Sequence, residues 1–233
     1  MEAAARPRVK ICCIGSVEEA RLAVTAGASA LGLVSEMPSG PGVIPEDAIA
    51  RIARTVPPGV TSVLLTCRQD VGSIIAQQRR TGVGAIQICD RLLDGTYSDL
   101  RQALPGVGLI QVIHVSGPAS VDEARQIAPH VHALLLDSGD PALPVKELGG
   151  TGRVHDWTHS RRIREEAAAP VYLAGGLTPE NAAEAVRAVG PFGLDLCGGV
   201  RTGGALDPEK LGRFFAALDA GQDGEHDGTR TRN

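Results

Sequence analysis

Short apolar runs alternate with amphipathic segments along most of the chain. Each apolar run is bounded by glycine, proline or polar residues, which is typical of strands buried on both faces. The segments between them place apolar residues at helical spacing over two or three turns. The pattern therefore predicts strands and helices in strict alternation.

The predicted strands cover residues 8–14, 28–34, 60–66, 85–89, 108–115, 133–137, 171–174 and 193–197. The first six predicted helices cover about 16–26, 45–54, 70–81, 96–104, 120–128 and 158–168. Two further helices are predicted to open at Thr178-Pro179-Glu180 and at Asp207-Pro208, where a capping residue precedes a proline in the first helical position.

This alternation implies parallel strands, because each return to the same edge of a sheet needs a helical crossover. The predicted fold is α/β, a single-domain (β/α)8 TIM barrel over residues 8–219, between a flexible N-terminus (1–7) and a disordered C-terminal tail (220–233). An open doubly wound sheet is the alternative, although no G-x-G-x-x-G follows the first strand. In a barrel the active site lies at the C-terminal ends of the strands.

Composition narrows the classes of function. Hydrophobic residues make up 43% of the 233 residues, charged residues 21% and aromatic residues only 3%, which indicates an aliphatic core. The net charge is −4 and basic residues do not cluster, so nucleic-acid binding is disfavoured. We find no signal-peptide core and no membrane-spanning apolar run, and we expect a cytoplasmic protein. The five cysteines have neither disulfide nor zinc spacing, so reduced thiols and no metal site are expected.

Glycine pairs follow the two last strands of the predicted barrel. They are Gly175-Gly176 and Gly198-Gly199. The loops after strands seven and eight often form a phosphate site in such barrels, because glycine lets backbone N–H groups approach an anion. We expect the start of the seventh helix to add its dipole; ordinary turn glycines are the alternative.

A carboxylate and a thiol are candidates for acid–base chemistry. Asp137 closes the apolar run 133–136, where loss of water would raise its pKa. Cys12 and Cys13 end the first strand, and strict alternation would place only Cys12 on the face of Lys10. The alternatives are a buried structural cysteine and a turn-capping aspartate.

Four stretches together resemble the phosphoribosylanthranilate isomerase family, a group of (β/α)8 enzymes of tryptophan biosynthesis. They are residues 9–14, 134–138, 149–157 and 173–181. The resemblance implies a metal-free, cofactor-free Amadori rearrangement of a small phosphorylated sugar-amine. It implies that Cys12 is the general base, Asp137 the general acid, Gly175, Gly176, Gly198 and Gly199 the phosphate site, and Gly150 and Thr151 part of a substrate loop.

The chain departs from the family pattern at several positions. Cys13 stands where the family usually has glycine, and we expect it to pack outward against the helices. The loop 39–42 lacks the arginine that grips the anthranilate carboxylate, and Cys89 replaces a histidine. Arg201 or Arg68 is a candidate substitute cation.

Three hypotheses for the function follow: a phosphoribosylanthranilate isomerase, an isomerase with a different aglycone or phosphosugar, or a non-catalytic phosphate-ligand binder. The oligomeric state is expected to be a monomer or a homodimer.

Overall fold

The computed structural model describes residues 6–226, with side chains described up to residue 220. The barrel strands are β1 Arg8–Ile11, β2 Ala30–Val34, β3 Thr61–Thr66, β4 Ala85–Ile88, β5 Gly108–His114, β6 Ala133–Asp137, β7 Val171–Leu173 and β8 Gly193–Leu196. The helices are α1 Val17–Ala26, α2 Glu46–Ala53, α3 Val71–Thr81, α4 Tyr97–Ala103, α5 Ala119–Ile127, α6 Trp157–Glu166, α7 Ala182–Val189 and α8 Pro208–His226.

The eight strands form a closed parallel barrel in chain order, with β8 paired to β1. This confirms the predicted (β/α)8 barrel and excludes the alternative of an open doubly wound sheet. At the closing seam Lys10 of β1 is the register partner of Asp195 of β8. Because the barrel has no free edge, every strand end at its C-terminal rim faces one shared opening.

The core has two parts that follow from the alternation of side chains along each strand. In β6, Leu134 and Leu136 point outward into the aliphatic layer between strands and helices. Ala133 and Leu135 point inward to a smaller cluster inside the barrel. The outer layer holds most of the buried apolar side chains, so it is the main source of hydrophobic stabilisation. The inner cluster contains small and sulfur-containing side chains and leaves room at the rim.

Two predicted boundaries differ from the structure. Helix α7 begins at Ala182, with Asn181 as its N-cap, rather than at Thr178-Pro179-Glu180. The Asn181 side chain accepts a hydrogen bond from the Thr178 N–H and donates one to the Gly176 carbonyl, which holds residues 178–181 in a turn outside the helix. Helix α8 extends to His226, past residue 219, because a packed helix can propagate over polar residues.

The remaining differences lie outside the main barrel. The first five residues and residues 227–233 of the predicted termini lie outside the described residues. A short antiparallel ribbon that the pattern did not predict, β9 Arg201–Thr202 and β10 Ala205–Leu206, precedes α8. Within the described part of the chain, no helix is both long and apolar enough to cross a membrane.

Candidate active site

A cavity of about 370 Å³ opens at the C-terminal rim of the barrel. Residues from the ends of β1, β4, β6, β7 and β8 line it, together with the loops after β2 and β6. Cys12, Asp137 and both glycine pairs are among the lining residues. The structure thus brings together the residues that were predicted separately from distant parts of the sequence.

Both cysteines after β1 face this cavity. Strand β1 ends at Ile11, and Cys13 has φ = 61°, the only positive φ of a non-glycine residue in the described chain. This left-handed conformation breaks the alternation of side chains, so Cys13 joins Cys12 in the inner cluster. Its sulfur lies 3.7 Å from the Pro41 carbonyl oxygen. The prediction that Cys13 packs outward against the helices is therefore wrong.

A buried ion pair forms the floor of the cavity. The Lys10 ammonium donates to an Asp195 carboxylate oxygen at 2.8 Å, and Lys10 is fully buried. Burial alone would lower the pKa of Lys10, but Asp195, with the nearby Cys12 and Cys89, raises it above its ordinary value. Burial raises the pKa of Asp195 in spite of the Lys10 charge. Lys10 thus stays protonated beneath the site, paired with Asp195.

Gly32 of β2 lies close to both the Lys10 ammonium and the Cys12 thiol. A Cβ built on Gly32 would lie 2.9 Å from the Cys12 sulfur and 3.0 Å from the Lys10 nitrogen. The sulfur and the ammonium are therefore at most about 6 Å apart, a distance at which opposite charges interact strongly inside a protein.

Asp137 is held at the rim by backbone rather than by a cation. One carboxylate oxygen accepts a hydrogen bond from the Ser138 N–H at 2.7 Å. Burial raises the pKa of Asp137, with a further contribution from Asp195, and outweighs the lowering by the Ser138 N–H. A carboxyl with a raised pKa keeps its proton closer to neutral pH, as a general acid requires.

The glycine pairs present unused hydrogen-bond donors to the cavity. Among the hydrogen bonds of the described residues, none is donated by the backbone N–H of Gly175, Gly176, Gly198 or Gly199, and all four residues line the cavity. A Cβ on Gly199 would lie 2.0 Å from the Leu177 carbonyl oxygen, so only glycine fits there. Unpaired N–H groups on two neighbouring loops suit a phosphate. Helix α7 begins only at Ala182, and a short 3₁₀ turn at 198–200 carries the second glycine pair. The contribution of the α7 dipole stays a prediction.

Comparison with known proteins agrees with this geometry. Residues 9–217 match the model of the family described as N-(5'phosphoribosyl)anthranilate (PRA) isomerase. The chain belongs to this family.

Curated relatives and solved structures lead to the same family. N-(5'-phosphoribosyl)anthranilate isomerase 2 of Methanosarcina mazei is 36% identical over 89% of this chain and 92% of its own length. The Haloarcula marismortui isomerase is 37% identical over 89% of this chain and 94% of its own. The crystal structure of the Thermotoga maritima isomerase superposes with a TM-score of 0.76 at 26% identity, covering 92% of this chain and 99% of that one. These matches confirm the predicted family and the prediction of an isomerase.

One solved phosphoribosylanthranilate isomerase contains a ligand. It is a complex with reduced 1-(o-carboxyphenylamino)-1-deoxyribulose 5-phosphate, and it superposes with a TM-score of 0.74 at 25% identity over 92% of this chain and 99% of that one. That relative therefore binds a small phosphorylated sugar-amine.

The loops after β2 and β6 meet above the cavity of this family member. Ser39 donates a hydrogen bond to the Lys146 carbonyl at 2.7 Å, and a Cβ on Gly150 would touch Pro41 at 2.7 Å. Thr151 shares a hydrogen bond of 2.6 Å with Ser138 beside Asp137. The predicted substrate-loop residues Gly150 and Thr151 thus lie at the cavity, as part of its cover.

Other polar residues at the strand ends do not line the cavity. Ser35 donates to the Leu65 carbonyl, Thr66 accepts from the Arg68 N–H, and one ring nitrogen of His114 bonds the Cys89 carbonyl oxygen. They hold the rim of the barrel in place. Cys89 is different, because it lines the cavity and is almost fully buried.

Neither arginine proposed as a substitute cation lies in the cavity. Arg201 pairs with Glu19 at 3.0 Å and donates to the Cys12 carbonyl at 3.2 Å, so it clamps the chain after β8 to the end of β1. Arg68 lies 3.7 Å from Glu46. Both positive charges are engaged outside the cavity, and that prediction is wrong.

Gln87 of β4 is a cavity residue that the sequence analysis did not single out. It is 3% exposed, and its side-chain oxygen has no hydrogen-bond partner in the described part of the chain. A buried acceptor without a partner costs about 1–3 kcal/mol. The sequence did contain a signal for this placement. Gln87 lies two residues before Cys89, so both side chains point to the same, inward face of the barrel wall. No group of three or more His, Cys, Asp or Glu among the described residues is arranged to hold a metal ion.

Proposed function

We propose that this protein isomerises N-(5'-phosphoribosyl)anthranilate to 1-(o-carboxyphenylamino)-1-deoxyribulose 5-phosphate. The observation that carries the proposal is one cavity that holds a thiol, a buried carboxyl of raised pKa and four unpaired glycine N–H groups. These are the three elements that an aldose–ketose isomerase of a phosphosugar needs: a base, an acid and an anchor for the phosphate.

The proposed reaction begins with the phosphate bound to the glycine N–H groups. Asp137 donates its proton to the ring oxygen, which opens the sugar and leaves a protonated imine at C1. Cys12, as a thiolate, then removes the C2 proton to give an enolamine. Proton transfer to C1 and loss of the proton from the C2 hydroxyl give the ketose. Oxidation at C2 balances reduction at C1, so the rearrangement needs no redox cofactor.

Two residues are proposed to support these steps without exchanging protons. The Lys10 ammonium, held by Asp195, stabilises negative charge at the bottom of the cavity. The unpaired oxygen of Gln87 is proposed to accept a hydrogen bond from a substrate hydroxyl or amine, which would remove the cost of burying it alone. The assignment of Gln87 favours a substrate with a hydrogen-bond donor at this side of the cavity.

The test is turnover of phosphoribosylanthranilate by the purified protein and rescue of a tryptophan auxotroph. Loss of a general acid or base typically lowers the rate by about 10²–10⁴-fold, so Cys12→Ser and Asp137→Asn should each lose activity to that extent. Both should still bind ribose 5-phosphate, because the glycine site is unchanged. Cys67→Ser is the matched control; its thiol bonds the Glu36 carbonyl outside the cavity, and activity should persist.

The alternatives predict different results. A non-catalytic binder would bind ribose 5-phosphate and turn over neither phosphoribosylanthranilate nor any related phosphoribosylamine. An isomerase of another phosphosugar would have no activity on ribosylamines. Its activity on its own phosphosugar would still be lost in the Cys12→Ser variant. Full activity of both Cys12→Ser and Asp137→Asn would refute the acid–base assignment. A cytoplasmic location and a monomeric or homodimeric state stay predictions.

A further inference from the structure

The wall of the cavity beside the acid and the base is apolar. Met37 and Pro41 of the loop after β2 line it together with Leu148 of the loop after β6, and Val34 and Leu65 contribute from β2 and β3. Val34, Leu65 and Leu148 are each less than a tenth exposed, and Met37 packs against the inner cluster. This is the part of the cavity that remains for the amine substituent once the phosphate occupies the glycine N–H groups and the sugar lies between Cys12 and Asp137.

The charged side chains that line the cavity are acidic. They are Asp137 and Asp195, and the lining residues include no lysine, arginine or histidine among the residues that the structure describes. The Lys10 ammonium lies beneath the cavity and is already bonded to Asp195 at 2.8 Å. A carboxylate on the substrate would therefore face a wall with no cation to receive it.

Basic side chains on the segments around the cavity are engaged in ion pairs. Arg201 binds Glu19 and two backbone carbonyls at the end of β1. Two more pairs hold the cover in place, Lys146 with Asp90 and Arg153 with Glu147. Releasing any of them to bind a substrate would leave its acidic partner without a counter-charge, which is costly for the nearly buried Asp90.

We propose that the amine subsite of this isomerase recognises an uncharged aromatic or apolar substituent, and that a carboxylate on that substituent contributes little to binding. The inference rests on the proposed function and refines its substrate class to N-(5'-phosphoribosyl)arylamines in general. Burial of the ring against Met37, Pro41 and Leu148 supplies the affinity, because apolar area removed from water is favourable whatever its ring substituent. A carboxylate gains no partner there and loses part of its hydration.

The first experiment compares binding of two reduced product analogues by calorimetry, one derived from anthranilate and the other from aniline, which lacks the carboxylate. We expect dissociation constants that differ by less than tenfold. A charge-assisted hydrogen bond is worth about 1.5–3 kcal/mol, or at least tenfold, so a preference of tenfold or more for the anthranilate analogue overturns the inference. This readout does not need turnover. Loss of the proposed function would appear separately, as failure to convert either phosphoribosylarylamine.

A gain-of-charge variant tests where the subsite lies. Met37→Arg places a guanidinium on the apolar wall, and Met37→Gln is a neutral control of similar length that perturbs the packing in the same way. The preference for the anthranilate analogue should rise by about tenfold in Met37→Arg and stay unchanged in Met37→Gln. An unchanged preference in Met37→Arg would place the substituent away from this wall and overturn the assignment.

Discussion

At the scale of single residues, the backbone at Cys13 decides which groups reach the cavity. A left-handed conformation costs an ordinary residue about 1–2 kcal/mol, and glycine adopts it freely. Here φ is 61° at a cysteine, and the side chain is tucked against Pro41 and Gly42. The position is thus one where glycine is the unstrained choice, which fits the glycine usual in the family. The second thiol of the cavity exists at the expense of local strain.

This strain is measurable by comparing two truncations. Cys13→Gly and Cys13→Ala both remove the thiol, but only glycine relieves the left-handed backbone. We expect Cys13→Gly to have the higher free energy of unfolding, by about 1–2 kcal/mol, in urea denaturation. At Cys89, which has no positive φ, the order should reverse. An alanine variant as stable as the glycine variant at position 13 would contradict the strain argument.

The roles of single residues were predictable only where they follow from position in the pattern. Cys12 and Asp137 lie at strand ends, so their convergence on one cavity could be predicted from the barrel alone. The orientation of Cys13 could not, because a hydrophobic pattern carries no φ angle. The partner of Lys10 could not be named either, since Asp195 lies 185 residues away and the pattern marks it only as part of a strand.

At the scale of elements, strand β2 packs against the end of β1 through Gly32. A Cβ there would lie 2.9 Å from the Cys12 sulfur, 3.0 Å from the Lys10 nitrogen and 3.1 Å from the Cys12 Cα. The contacts include backbone, so they cannot all be relieved by rotating a side chain. The strand therefore needs glycine at this register for the base and the floor of the cavity to keep their places.

Gly32→Ala should displace the thiol. We expect a loss of activity of at least tenfold and a loss of stability of about 1–3 kcal/mol, typical of overpacking a core. The control is Gly212→Ala in α8, where a Cβ has no neighbour within 4 Å. That change should stabilise the protein by about 0.5–1 kcal/mol and leave the activity unchanged. Steady-state kinetics and urea denaturation measure both effects, and an unimpaired Gly32→Ala variant would contradict the proposed placement of Cys12.

The start of α7 shows why element boundaries are less predictable than element types. Thr178-Pro179 satisfies the rule for a cap followed by proline, yet α7 begins at Ala182, after an Asn181 whose side chain makes no capping bond to the helix. The Asn181 side chain ties Thr178 to Gly176 instead, so it fixes the turn that carries the glycine N–H groups. A cap motif in the sequence does not show whether its residues serve the helix or a neighbouring turn.

At the scale of the whole molecule, closure of the barrel and the chemistry of the site depend on one seam. Lys10 and Asp195 are register partners across β1 and β8, the first and last strands of the barrel. Their side chains are 1% and 8% exposed, so neither charge is well hydrated. Closure was predictable from the count of strands, because eight alternating units suit a barrel. That the closing seam also carries the buried charge under Cys12 became evident only from the register.

Removing one member of this pair should cost more than removing both. Lys10→Met leaves a buried carboxylate without its cation, and we expect a loss of about 3–5 kcal/mol in the free energy of unfolding. The double variant Lys10→Met with Asp195→Leu removes both charges, so its stability should lie well above that of Lys10→Met alone. Arg51→Met is the control: its partner Asp47 is 71% exposed, and its loss should cost less than about 1 kcal/mol. Urea denaturation measures the free energy of unfolding of each variant. If the loss in the double variant equalled the sum of the losses in the single variants Lys10→Met and Asp195→Leu, the two charges would not be acting as a pair across the seam.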